Sequence, residues 1–125
     1  MKKKLIGFEK GNKKRNVEVF KVPFWREGIG LMFQKKEKAK ALLFSYNFST
    51  RMAIFSLFIP FDFLAVWVDK KGKIVGVQVV KPGNMSARPE KRFRNLIEIP
   101  MTKNYGKVVK FVLENYKKGL KIKFF

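Results

Sequence analysis

Short apolar stretches separated by lysine-rich runs set the limits on what this chain can fold into. "LIGF", "NVEVFKV", "ALLFSY", "MAIFSLFI", "FLAVWV", "KIVGVQVV" and "NLIEI" each run four to eight residues. They are rich in β-branched and aromatic side chains, so they read as strands. The runs between them are "KGNKKR" (10–15), "KKEKAK" (35–40), "DKKGK" (69–73) and "ARPEKRFR" (87–94). Charge placed between apolar stretches is what solvated turns look like. "LIGF" and "NVEVFKV" flank a turn at Gly11-Asn12, and "FLAVWV" and "KIVGVQVV" form the clearest hairpin, turning at "DKKG". "FWREGIGLMF", with two glycines, reads as a short helical turn or bend.

The tail changes period. In "NYGKVVKFVLENYKK", Val108, Val109, Val112, Leu113 and Tyr116 follow helical spacing, and Glu114 lies four residues from both Lys110 and Lys118. Gly119 is a natural stop, and "LKIKF" then alternates as a last strand. The residues thus describe a mostly β (α+β) domain with one C-terminal amphipathic helix. No repeat, linker or boundary divides residues 1–125, so one domain is expected.

The longest apolar run, residues 52–69, contains Pro60 and Asp62. Its 17 apolar-rich residues, Met52 to Val68, fall short of the roughly 20 that a spanning helix needs, and a central Asp is costly in a bilayer. The run reads instead as two buried strands meeting at "IPFD". Pro60 presets the turn and Asp62 accepts backbone N–H bonds. A polar group at the mouth of an apolar pocket is the other reading of Asp62. The basic N-terminus carries no signal-peptide pattern, which points to a cytoplasmic protein.

Cysteine and histidine are both absent. Disulfides, thiolate metal sites and histidine-based catalysis are therefore excluded. Nine acids face 29 Lys and Arg, for a formal net charge of +20. A thermophile-like surface accounts for abundant lysine, but ion-pair networks need both signs. The excess suggests attraction to polyanions, or a solubility device. Lysine outnumbers arginine, so contact with a phosphate backbone is expected to dominate over base reading.

Three groups of residues could carry function. Asp62, Glu98 and Arg51 could form a small polar cluster beside a ligand pocket, with Met32 packed nearby. Phe24, Trp25 and Arg26, with Arg88, Arg92, Phe93 and Arg94, place aromatics beside cations, the pattern of single-strand binders, although aromatics so placed also serve as core. "GIG" lacks the spacing of a phosphate loop. No metal site or cofactor is expected. An enzyme would need two converging carboxylates, so a non-enzymatic domain is the favoured reading. It would contact nucleic acid or another polyanion; the alternative is a small-ligand or accessory-protein binding domain with an apolar pocket near Asp62.

"GLMF" (30–33), "ALLFSY" (41–46), "IPFDFLAVWVDKKGKIV" (59–75), "KP" (81–82) and "LIEIP" (96–100) occur in an order that resembles the uncharacterised small-protein family called domain of unknown function 192. The resemblance covers roughly residues 17–100. It implies a compact β-sandwich or flattened barrel and no particular activity. The family-like positions are Gly30, Leu31, Met32, Pro60, Asp62, Pro82 and Glu98. The chain departs from the pattern at Ala41, where relatives have glycine, and in residues 52–56, which lack the Trp or His of many relatives. Many relatives also carry export signals, which this sequence does not show.

Overall fold

The computed structural model describes residues 2–22, 35–54, 59–84 and 86–125. Seven strands lie in one sheet that does not close into a barrel: β1 (Lys2–Lys10), β2 (Lys13–Lys21), β3 (Leu42–Thr50), β4 (Phe63–Val68), β5 (Ile74–Val80), β6 (Phe93–Pro100) and β7 (Lys121–Phe124). Their order across the sheet is β5-β4-β6-β3-β2-β1-β7. One helix, α1 (Gly106–Asn115), follows β6. The chain is thus mostly β with a C-terminal amphipathic helix.

Turn chemistry sets both sequence-local hairpins. Gly11 sits at φ +60° between β1 and β2, and Gly72 at φ +82° between β4 and β5. That left-handed region penalises residues with a Cβ. Asp69 caps the second turn: its Oδ1 accepts hydrogen bonds from the Lys71 and Lys73 backbone N–H groups, both at 2.9 Å. Asp69→Ala should therefore cost about 0.5–2 kcal/mol in chemical unfolding, as lost caps do.

Alternation then sorts the side chains onto two faces. Leu64, Val66 and Val68 of β4, Ile97 and Ile99 of β6, Leu43 of β3, Ile6 and Phe8 of β1 and Val17 and Val19 of β2 share one buried cluster. Helix α1 covers this cluster with Val108, Val109, Phe111 and Val112. The Tyr105 hydroxyl accepts a 2.9 Å bond from the Ala41 N–H and so pins the helix entrance to the chain just before β3. Leu113, expected on the packed face, is instead 38% exposed. Phe111 takes that place, because the packed stripe runs 108–109–111–112 and turns away before 113.

Phe63, Ala65 and Trp67 of β4, Leu96 of β6 and Leu42 and Phe44 of β3 project to the opposite face. Val80 of β5, Phe93 of β6 and the non-strand residues Val22, Ala39, Ile54, Ile59, Phe61 and Ala87 complete that second cluster. Pro89 closes on it too: a Cβ on Gly76 would lie 3.1 Å from both the Pro89 Cβ and the Trp67 ring. The expected strand over "MAIFSLFI" is reduced, among its described residues, to one bridge between Ile54 and Ala87. "FWREGIGLMF" lies outside the described residues.

Candidate functional site: a buried carboxylate and an unneutralised cationic surface

Glu98 lies in β6, in the middle of the sheet. Its cross-strand neighbours are Leu42 on β3 and Ala65 on β4. Alternation places it with Leu96 on the face opposite Ile97 and Ile99, among the side chains of the second cluster. It is 4% exposed. Burial raises its pKa from 4.5 to about 8, because a low-dielectric surround penalises the charged form. At neutral pH the group is therefore mainly a neutral carboxylic acid. Glu98 Oε1 has no hydrogen-bond partner among the described residues. Trp67 Nε1 is also buried without one. Trp67 pairs with Leu96 and so sits diagonally from Glu98 on the same face, a separation of about 7–8 Å that aromatic side chains bridge. Native interiors leave few buried polar atoms unsatisfied, so two neighbouring cases mark this part of the core.

Asp62 occupies a different place. It immediately precedes β4, three residues or about 10 Å of strand from Ala65, the partner of Glu98. Its carboxylate accepts a 3.0 Å hydrogen bond from Lys81 Nζ, an ion pair with the lysine side chain 73% exposed. Its backbone carbonyl accepts from the Met101 N–H at 3.0 Å. Among the described residues the carboxylate thus binds an ammonium and no turn amide, unlike the expected cap. Exposed pairs contribute little, so Asp62→Ala should cost under about 1 kcal/mol, less than Asp69→Ala in the same assay. Arg51 Nε donates to the Pro89 carbonyl at 3.2 Å. No hydrogen bond or ion pair joins Arg51, Asp62 and Glu98 to one another. Met32 lies outside the described residues.

Of the aromatic–cation group, Phe24, Trp25 and Arg26 lie outside the described residues. Phe93 is 1% exposed and packs against Trp67 and Tyr46, with ring centroids 6.4 and 5.9 Å away. Its ring is not available to stack on a base, because β6 turns it into the second cluster. Arg88 and Arg92 are exposed, and Arg92 Nη1 donates to the Ser49 carbonyl at 3.4 Å. Arg94 is half-buried, with Nε unpartnered among the described residues.

The family model of domain of unknown function 192 (DUF192, described as Uncharacterized ACR) matches residues 6–116. The chain belongs to the DUF192 family. No curated protein matches it. A crystal structure described as a "putative transcription regulator" from Sinorhizobium meliloti 1021 is similar in fold, with TM-score 0.74 at 12% identity, over 98% of this chain and 94% of that one. A protein of unknown function from Novosphingobium aromaticivorans DSM 12444 superposes with TM-score 0.67 at 11% identity, over 95% of this chain and 83% of that one. At such identities the likeness extends to the fold alone.

Among the DUF192-like positions, Glu98 is in the core and Asp62 at a strand start, while Gly30, Leu31 and Met32 lie outside the described residues. Sequence reasoning missed Trp67 as the neighbour of Glu98. Its signal was present in "FLAVWV" and "LIEI": alternation puts 63, 65 and 67 on one face of β4 and 96 and 98 on one face of β6. Only the β4–β6 pairing makes the two faces one. No helix among the described residues is long and apolar enough to cross a membrane.

Proposed function

We propose that this DUF192 chain is a non-enzymatic cytoplasmic domain that contacts nucleic acid, or another polyanion of similar charge density, through its lysine surface. The supporting observation is the lack of internal neutralisation. Against a net charge of +20, two ion pairs form among the described residues: Lys3–Glu18 at 3.9 Å and Lys81–Asp62 at 3.0 Å. A surface built for stability would spend its cations on acids; here the field is left to act outward. The description of the Sinorhizobium protein as a "putative transcription regulator" is in line with this reading. Binding to a labelled single-stranded oligonucleotide should be measurable at low salt and should weaken steeply as salt rises, by about 0.7 in log K per decade of salt for each phosphate neutralised. Absence of binding at low salt, or affinity no better than for heparin at matched charge density, would remove nucleic acid as the partner.

The atoms of Glu98 and Trp67 left without partners among the described residues support a second reading, a small polar ligand held on that face of the sheet rather than at Asp62. A neutral acid offers one donor and one acceptor, and the indole a further donor. A compound recognised this way would raise the melting temperature of the native chain and not of Glu98→Gln. Equal shifts in both would discard the site.

A further inference from the structure

We infer that the contact surface for a polyanion is the groove between β2 and helix α1, and that its occupant is a single strand of nucleic acid held by its phosphates. This inference rests on the proposed polyanion reading and gives it an address. Strand alternation continues the line of Val19 and Val17 outward to Arg15 and Lys13, and Arg15 pairs with Phe8, a residue of the helix-covered cluster. Both cations therefore project towards the helix. On α1, Lys107, Lys110 and Glu114 recur at three- and four-residue intervals and form one stripe, and Lys118 follows in the turn beyond the helix end at Asn115. The two rows enclose a groove of about 990 Å³, lined by Lys13, Arg15, Lys107, Lys110 and Lys118, with Glu114 the one acid among its described lining. A second hollow of about 360 Å³ shares Arg15 and Lys107 and adds Lys40, with Glu18 also in its lining, so cations outnumber acids past the helix start as well.

This arrangement works against the free chain. Lys107 lies in the first turn of α1, where the helix dipole disfavours a cation and no acid offsets it. Lys107 and Lys110 are like charges at i, i+3. Phosphates threading the groove would relieve both. Cations on two walls suit a single backbone strand lying between them better than a duplex, which needs charges on an open convex face. The groove floor offers no free ring: Phe111 is buried, with the Arg15 guanidinium 5.4 Å from its centroid. Bases would therefore not be stacked there, and base identity should matter little.

Fluorescence anisotropy with labelled oligothymidylate across a salt series tests the inference. Five cations in full contact predict a slope of log K against log salt of about −3.5. Lys107→Ala with Lys110→Ala, both on the exposed helix surface, should flatten the slope by about 1.4, and adding Lys13→Ala and Arg15→Ala should flatten it by nearly 3. Arg88→Ala with Arg92→Ala should leave it unchanged. Thermal melts of each variant confirm that the fold persists; the helix double variant gains helix propensity and keeps the test valid if the quadruple variant unfolds. A duplex of equal length and polyglutamate of equal charge should bind more weakly. Binding with an unchanged slope in the groove variants would overturn the groove while leaving the broader polyanion reading standing. Duplex binding equal to the single strand, or polyglutamate binding as tightly, would overturn the assigned occupant. No binding by the native chain at low salt would overturn both.

Discussion

Glu98→Gln is expected to reverse the order of stability between acid and mildly alkaline solution. The folded chain holds the Glu98 proton up to about pH 8, whereas the unfolded chain releases it near pH 4.5. Between those values the unfolded state binds fewer protons, so each step up in pH favours unfolding. The contribution of the neutral acid is thus complete below pH 4.5 and lost as pH rises through 8. The span corresponds to at most about 4–5 kcal/mol. Glutamine does not titrate, but it brings a buried amide that lacks partners, costing about 1–3 kcal/mol at every pH. The variant should therefore be the less stable protein at pH 4 and as stable as the native chain, or more so, at pH 8.5. Urea unfolding of both proteins at several pH values reads the difference directly, and titration of the other acids cancels. Parallel curves for the two proteins would mean that Glu98 ionises normally in the fold.

Phe111→Ala should cost about 3–5 kcal/mol, the usual loss for a buried phenylalanine. Leu113→Ala should cost under about 1 kcal/mol, since that side chain is 38% exposed and gives up little buried area. The contrast is informative because the two residues lie two positions apart and the substitutions differ little in helix propensity. Phe111 closes the cluster shared by β1, β2 and α1 and underlies the Arg15 guanidinium. Its loss should consequently loosen the helix as well as open a cavity. Hydrogen exchange in 106–115 and chemical unfolding measure the two effects. Similar costs at 111 and 113 would mean that the helix is rotated about its axis.

Local chemistry was legible where it is self-contained. Gly11 and Gly72 mark their turns, and "FLAVWV" and "KIVGVQVV" pair as adjacent strands, because the hairpin and its register depend on a few contiguous residues. The helix was also legible, but not its docked face. Both 111 and 113 are apolar, and only the position of β2 decides which of them is covered. Glu98 stood out as a candidate without its environment being readable. Its burial follows from β6 lying between β3 and β4, strands contributed by segments some 50 and 30 residues away in sequence, respectively. Asp62 was read as a cap because it follows Pro60, yet its ion pair is with Lys81, 19 residues later. Residues 10–15 read as a solvated run and Lys110 and Lys118 as neighbours of Glu114 on a helix, since nothing in the sequence shows that residues 13–15 and 107–118 face each other.

The pairing of β7 with β1 has a bearing on synthesis. β1 and β2 are made well before β7 and can form their hairpin without it, but the other edge of β1 is covered only when Lys121–Phe124 arrives. Until then a nine-residue strand presents unpaired N–H and C=O groups to every neighbouring nascent chain. Lys2, Lys3, Lys4 and Lys10 crowd that strand with positive charge. The net positive charge, with Glu9 the one acid of β1, repels a second copy and discourages edge-to-edge pairing while the edge is open. In this part of the chain the lysines act as a guard against misassembly as well as a source of field.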